Sequence, residues 1–143
     1  MIKFIGCPES NFRRGRPFGL TPEAIVIHIM DGSFAAGESV FRNPKTQKSA
    51  HYGISREGEV HQYVDEANTA FHAGIVVNPT WPLLKPRINP NFYTIGIEHE
   101  GFADDVLARK SAPEAGVEAV EGVVAHDEVI ARRNIVNGIL VGK

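Results

Sequence analysis

The chain has 143 residues and a formal net charge of −2. This length predicts a single domain, 1–143, able to bury roughly two thirds of its unfolded surface in one core. A net charge this close to zero gives no reason to expect binding to nucleic acid or to an anionic membrane surface. No window approaches about 18 consecutive apolar residues, so we expect no segment that spans a bilayer.

The cysteine count and the N-terminal residues indicate where in the cell the protein is expected. Cys7 excludes an internal disulfide and any multi-cysteine zinc site. We expect it to be a small, half-buried side chain near the N-terminus. The opening Met-Ile-Lys-Phe-Ile-Gly lacks the long apolar stretch of a signal peptide. We therefore expect a monomeric protein that is cytoplasmic or is released by phage lysis.

The first 23 residues form a lead-in segment. Residues 8–22 are rich in Pro, Gly, Asn and Arg, a composition that predicts irregular structure. Arg13, Arg14 and Arg16 lie within this segment, and so short a basic cluster is expected to be a solvated surface run.

Two elements and a hairpin follow. The β-branched apolar run Ala24–Met30 predicts a strand buried on both faces. Ser33 can cap a short helix over residues 34–43. Residues 51–64 alternate in polarity about a Glu-Gly pair, which predicts a hairpin with Gly58 at positive φ.

The second half predicts a loop, a strand, a helix and a last strand. Residues 78–90 contain four prolines and predict a long surface loop that could form a cleft wall. Residues 93–97 predict a buried strand, and the valine spacing over 113–134 predicts a helix of about 15 to 20 residues. Ile139–Val141 predicts a short strand. The fold class is therefore α/β or α+β, with a mixed central sheet flanked by helices.

A histidine and a carboxylate each close one of the apolar strands. His28 ends the first apolar run, and Glu98 ends the run that begins at Thr94. Period two places Glu98 and Glu100 on one face of the strand and His99 on the other. Burial of Glu98 would raise its pKa, as a general base near neutral pH requires. If the two strands are neighbours, the pair predicts a metal-assisted hydrolase.

The other histidines are weaker candidates, because a lone histidine on a strand is more often a hydrogen-bonded structural residue. His72 lies between Phe71 and Ala73-Gly74, a tight segment that lets the backbone approach a ligand. His61 alternates with Gln62 in an amphipathic strand, and we expect it on the surface.

Six collinear segments together resemble the type-2 N-acetylmuramoyl-L-alanine amidases, whose fold is shared by phage-lysozyme-type amidases and peptidoglycan recognition proteins. No single segment is strong, but their order and spacing over residues 10–101 are specific. The segments are Ser10-Asn11-Phe12, Ile25-Val26-Ile27-His28, Ser49-Ala50-His51-Tyr52, Arg56-Glu57-Gly58, Ala70-Phe71-His72-Ala73-Gly74, and Ile95-Gly96-Ile97-Glu98-His99-Glu100-Gly101.

The resemblance implies a zinc-dependent enzyme that cuts the amide between N-acetylmuramic acid and L-alanine in peptidoglycan or muropeptides. His28 matches the first zinc ligand and Glu98 the acid that activates the zinc-bound water. His72 matches a histidine of the substrate groove, beside which Phe71 replaces the more usual tryptophan. His51 matches a position that is structural or groove-lining in relatives.

The match is poor over residues 105–143, and two registers remain open. In one register, residues 123–126 are the apolar run that ends in the second zinc ligand, His126, and Asn134 to Val136 supply no third donor. In the other, which the predicted helix favours, that helix runs through His126 and residues 139–143 replace the strand before the ligand.

Three hypotheses therefore remain open. The chain is a zinc amidase whose metal is held by His28, His126 and a third donor such as Asp127 or Glu128, or it is a non-catalytic muropeptide-binding module on the same fold. The third hypothesis is an inactive fragment, or a chain with an altered C-terminus, whose fold survives without the part that supplies the remaining metal ligands. Metal content separates the first hypothesis from the others.

Overall fold

The computed structural model describes residues 1–74, 76, 82, 84–102, 124–125 and 139–142. None of the helices in these ranges has the length and hydropathy of a membrane span. The ranges contain nine strands and one α-helix. These are β1 (Ile2–Phe4), β2 (Phe12–Arg13), β3 (Ala24–Ile29), α1 (Phe34–Arg42), β4 (Tyr52–Ile54), β5 (Val60–Gln62), β6 (Thr69–Ala70), β7 (Thr94–His99), β8 (Val124–Ala125) and β9 (Ile139–Gly142).

Seven of these strands form one mixed sheet in the order β1-β5-β4-β7-β3-β9-β8. β7 lies between β4 and β3 and runs parallel to both, whereas β9 pairs with β3 in the antiparallel sense. The remaining strands, β2 and β6, form a separate antiparallel pair. The expected mixed central sheet of an α/β domain is confirmed.

The two apolar runs form the central strands, as predicted, but β3 is not buried on both faces. Ala24, Val26 and His28 are buried, whereas Ile25 is 39% exposed and the intervening isoleucines are half-buried. This alternation is the pattern of a strand with one well-covered face. The face that carries His28 is the buried one.

The predicted helix forms as α1, and it covers part of the hairpin. The Ser33 hydroxyl accepts a hydrogen bond from the Ala36 amide at 3.3 Å, as an N-cap does. Phe41 packs edge-on against Tyr63, in a core that also includes Ala50, Val64 and Ala70.

The hairpin is confirmed as β4 and β5, with Gly58 at φ +84°, but the surface position expected for His61 is wrong. Its side chain is only 6% exposed. His61 Nδ1 lies 2.7 Å from a carboxylate oxygen of Glu38, and Nε2 lies 2.8 Å from one of Glu59. Since Glu38 belongs to α1, the helix covers a strand face that the polarity pattern had marked as exposed.

The lead-in segment is more ordered than its composition predicts. β1 pairs with β5 in the parallel sense and β2 pairs with β6, so the segment contributes to both sheets. Arg16 is not a solvated residue either, because its guanidinium donates hydrogen bonds to the backbone carbonyls of Glu66, Phe92 and Thr94. These bonds tie the segment to the start of β7.

Five positions of the predicted loop, 78–81 and 83, lie outside the described residues, and its other positions up to Asn89 contain no helix or strand. Most of the predicted helix at 113–134 also lies outside the described residues. Inside the predicted helix, residues 124–125 are strand β8, so the helix is wrong at these two positions. The β-branched Val124 pairs in the antiparallel sense with Leu140 of β9, which is a strand partner and not a helical one. β9 confirms the strand predicted at Ile139–Val141.

Candidate active site

His28 and Glu98 are register partners on adjacent strands. In the parallel pairing of β3 with β7, His28 lies opposite Glu98, just as Val26 lies opposite Gly96. Paired residues of parallel strands project to the same face of a sheet. The two residues that close the apolar runs therefore lie side by side on one face of the sheet, near the carboxyl ends of two central strands.

His28 is a buried imidazole, and one of its nitrogens has no hydrogen-bond partner among the residues that the structure describes. Its side chain is 2% exposed, and Nε2 lies 3.0 Å from Nδ1 of His72. Within the described residues, the buried Nδ1 has no hydrogen-bond partner. Burial lowers the pKa of His28 to about 4, so the ring is neutral near pH 7. A buried neutral imidazole with an unpartnered nitrogen is what a metal ligand requires.

Glu98 has the properties of a general base. Burial raises its pKa to about 7, and the positive charge of Lys48 opposes that shift without cancelling it. Near neutral pH the carboxyl group can thus both accept and release a proton. Glu100, two residues further along, has a lowered pKa because it accepts a hydrogen bond from the Arg56 amide.

His72 lies inside the fold and contacts His28 directly. It is 8% exposed, and its Nε2 lies 3.0 Å from the hydroxyl of Thr94. The ring lies over Gly96, where an added Cβ would be 2.2 Å from its Cγ. Both of its ring nitrogens are therefore engaged within the protein. The predicted substrate contact of His72 stays a prediction, as does that of the half-buried Phe71 beside it.

His51 has a structural environment. It is fully buried, its Nδ1 accepts a hydrogen bond from the Gly96 amide at 3.0 Å, and its Nε2 lies 3.3 Å from the Asn68 carbonyl. The ring thus links β7 to the loop before β6. Burial raises the pKa of the Cys7 thiol to about 11, so this half-buried side chain is protonated near neutral pH.

A catalytic zinc site normally takes three protein ligands and leaves the fourth position to water or substrate. His28 fits one such ligand, because its buried Nδ1 meets no hydrogen-bond partner in the described part of the chain. No group of three His, Cys, Asp or Glu side chains that could hold a metal occurs among the described residues. His126, Asp127 and Glu128 lie outside them. The described part of the chain therefore accounts for one ligand and not for a complete site.

Two residues at the site escaped the sequence analysis. Thr94 binds His72 through its hydroxyl, and Asn91 accepts hydrogen bonds from the backbone amides of His72 and Ala73 at 3.2 and 2.7 Å. Asn91 is 4% exposed, which is low for an amide side chain. Neither residue stands in a motif that indicates its partner, because each contact depends on the tertiary register.

The family model for N-acetylmuramoyl-L-alanine amidases matches residues 18–142, which is most of the chain. The chain belongs to this family. The match spans β3 and β7 with His28 and Glu98, and it continues through β9. The resemblance that the six segments carry is thereby confirmed.

The relatives agree with this assignment. The chain is 42% identical over 83 residues to N-acetylmuramoyl-L-alanine amidase A of Achromobacter lyticus, a match over 57% of this chain and 39% of that protein. The amidase-family chain therefore spans well under half the length of this curated relative.

Two solved structures share the fold. The crystal structure of a selenomethionine AmpD derivative is 27% identical with a TM-score of 0.53, over 70% of this chain and 61% of that one. A mutant endolysin from Bacillus subtilis is 24% identical with a TM-score of 0.50, over 73% of this chain and 63% of that one. The endolysin supports the fold alone.

Proposed function

We propose that this chain hydrolyses the amide bond between N-acetylmuramic acid and L-alanine in peptidoglycan or muropeptides, with Glu98 as the general base. Family membership supports the reaction class, and the curated relative is named for this activity. The observation that carries the proposal is the pairing of His28 with Glu98, whose pKa is raised to about 7.

In this proposal the chemistry at Glu98 has two steps. Its carboxylate accepts a proton from water, whose oxygen then attacks the lactyl carbonyl of the substrate. The protonated carboxyl group next donates that proton to the leaving nitrogen of L-alanine as the C–N bond breaks. A pKa near the working pH suits both steps, because the same group must take up the proton and give it back.

We further propose that the reaction depends on zinc held by His28 and His126, with Asp127 or Glu128 as a third ligand. A zinc ion bound there would polarise the carbonyl and make the attacking water more acidic. Nδ1 of His28, which lacks a hydrogen-bond partner among the described residues, supports this assignment. The other donors are proposed from the sequence alone.

The test is the release of peptides with a free L-alanine amino group from purified muropeptides. Glu98→Gln is expected to lower kcat by about 10²- to 10⁴-fold while the protein stays folded. The matched control is Glu100→Gln, which removes a carboxylate from the same strand and should keep most of the activity. Full activity in Glu98→Gln, or substrate binding by the unaltered protein without hydrolysis, would contradict the proposal.

Metal analysis tests the zinc assignment separately. Purified protein should contain about one zinc ion per chain, and His28→Ala and His126→Ala should each lose it. His99→Ala is the control, because period two directs His99 to the other face of β7 from Glu98. Undiminished zinc in His28→Ala would overturn the assignment of that ligand, whatever the hydrolysis assay gives.

A further inference from the structure

A line of buried hydrogen-bonding groups leads from a backbone carbonyl to the candidate metal ligand. The Thr94 hydroxyl lies 2.8 Å from the Pro90 carbonyl oxygen and 3.0 Å from Nε2 of His72. Nδ1 of His72 then lies 3.0 Å from Nε2 of His28. Thr94 is fully buried, and the two rings are nearly so, so these groups satisfy one another and not solvent.

The hydrogen positions along this line follow from the first bond. The Pro90 carbonyl can only accept, so the one hydroxyl hydrogen of Thr94 is donated to it. Thr94 therefore presents a lone pair to His72, and His72 Nε2 carries the hydrogen that it donates to Thr94. In the neutral ring His72 Nδ1 is then an acceptor, and it receives the hydrogen on Nε2 of His28.

This assignment leaves Nδ1 of His28 without a hydrogen. It is the same atom that has no partner within the described residues. Burial lowers the pKa of both His28 and His72, which agrees with two neutral rings. The reverse order of hydrogens would set two oxygen lone pairs against each other at 2.8 Å, between Thr94 and Pro90. It would also put an unpaired N–H on His28 Nδ1.

We propose that Thr94 is a positioning residue. Through His72, it fixes the tautomer of His28 that carries its hydrogen on Nε2 and none on Nδ1. Only the use of that lone pair as a zinc ligand rests on the proposed function. A histidine ligand is usually held in one tautomer by the bond its other nitrogen makes. Here the other nitrogen of His28 bonds to a second histidine, His72, whose own second nitrogen bonds to the Thr94 hydroxyl.

The backbone around His72 holds its ring in position between Thr94 and His28. Asn91 accepts from the amides of His72 and Ala73 and donates to the Ala73 carbonyl at 3.1 Å. The absence of a side chain at Gly96 gives the His72 ring its room. The ring therefore has a fixed position between Thr94 and His28.

The direct test is nitrogen-15 NMR of the imidazole rings in metal-free protein. Long-range proton–nitrogen correlations distinguish a protonated ring nitrogen from a bare one, so they report the tautomer without any need for activity. The unaltered protein should show His28 with a bare Nδ1 and a protonated Nε2. Thr94→Val removes the hydroxyl at similar volume and should give a mixture of tautomers at both His72 and His28.

Two further variants complete the design. Thr94→Ser restores the hydroxyl and should restore the single tautomer. Thr69→Val is the matched control, because Thr69 is also fully buried and its hydroxyl also donates to a carbonyl, that of Gly15, at 2.8 Å. It should leave the His28 spectrum unchanged.

Zinc titration of the metal-free proteins gives a second readout. Thr94→Val should weaken zinc binding by about 10- to 100-fold, whereas Thr69→Val and Thr94→Ser should not. A proton on Nδ1 of His28 in the unaltered protein would overturn the proposal. So would an unchanged tautomer in folded Thr94→Val, or an equal effect in Thr69→Val. Failure of the unaltered protein to bind zinc would count against the zinc assignment alone, because the tautomer is measured without metal.

Discussion

His28 and Glu98 lie opposite each other on parallel neighbouring strands, at the carboxyl ends of two runs that are apolar for most of their length. The strands fix this relation, because a slip of one residue would turn the partner side chain to the other face of the sheet. An acid and an imidazole 70 positions apart in the sequence thus become partners through the pairing of two central strands.

The rate of hydrolysis should depend on the ionisation of Glu98. Its pKa is raised to about 7, so the carboxylate that accepts a proton is depleted below that pH. We expect the rate to fall by about tenfold per pH unit below about pH 7. Rates of hydrolysis measured across this range should show the decline at low pH in the unaltered protein. The small residual rate of Glu98→Gln should not decline in this way. An equally steep decline in that variant would assign the ionisation to another group.

Glu98 should also make the fold less stable as the pH rises. Its folded-state pKa lies above the ordinary value of 4.5, so the unfolded chain releases this proton first and stability falls from about pH 4.5 to about pH 7. Glu98→Gln removes the cost of burying an ionised carboxylate. The melting temperature of this variant, relative to that of the unaltered protein, should therefore be higher at pH 8 than at pH 5. Glu100→Gln should change stability with the opposite sign, because the pKa of Glu100 is lowered. Identical pH dependence in the two variants would contradict this account.

Three buried histidines should make the protein sensitive to acid. Burial lowers the pKa of His28 and His51 to about 4, and it also lowers that of His72 well below its ordinary value. Their folded-state pKa values lie below the ordinary 6.5, so the stability they confer is complete above about pH 6.5 and is lost as the pH falls toward 4. Each contributes up to about 1.4 kcal/mol per pH unit in that window.

Chemical denaturation across the same pH range measures this slope. His51→Asn keeps an acceptor near the Gly96 amide. It should reduce the slope of the free energy of unfolding against pH by the amount that corresponds to about one proton, whatever its effect on absolute stability. A slope equal to that of the unaltered protein would show that His51 is not among the groups that titrate.

Gly96 should tolerate no side chain. An alanine Cβ at this position would lie 2.2 Å from Cγ of His72, so the ring must move and its bonds to Thr94 and His28 must break. We expect Gly96→Ala to destabilise the fold by at least about 1–3 kcal/mol and to reduce hydrolysis. Gly74→Ala is the control, because a Cβ there meets no atom within 4 Å. Equal melting temperatures for the two variants would mean that His72 has room that the structure does not show.

The sequence predicted the strands and the candidate pair because both depend on local pattern. Apolar runs of strand length became β3 and β7, and their closing residues became partners once the strands were neighbours. The contact of His28 with His72 could not be predicted in this way. It joins residues 44 apart, and it requires an empty position at Gly96 together with one particular register.

Two other misses have the same physical origin. Arg16 looked like a surface residue because its partners are backbone carbonyls, which leave no trace in residue identities. His61 looked exposed because polarity alternates along its strand, yet α1 covers that face and brings Glu38 to it. A polar side chain near a helix that packs on a sheet cannot be assigned to solvent from its strand alone.

The antiparallel pairing of β3 with β9 has a consequence for any shortened form of this chain. Ile139–Gly142 occupy the edge of β3 that faces away from β7. Truncation ahead of Ile139 would leave a row of open amides and carbonyls along the strand that carries His28, and exposed rows of this kind recruit other chains into aggregates. A trimmed version made for crystallisation or expression should therefore fail first by self-association.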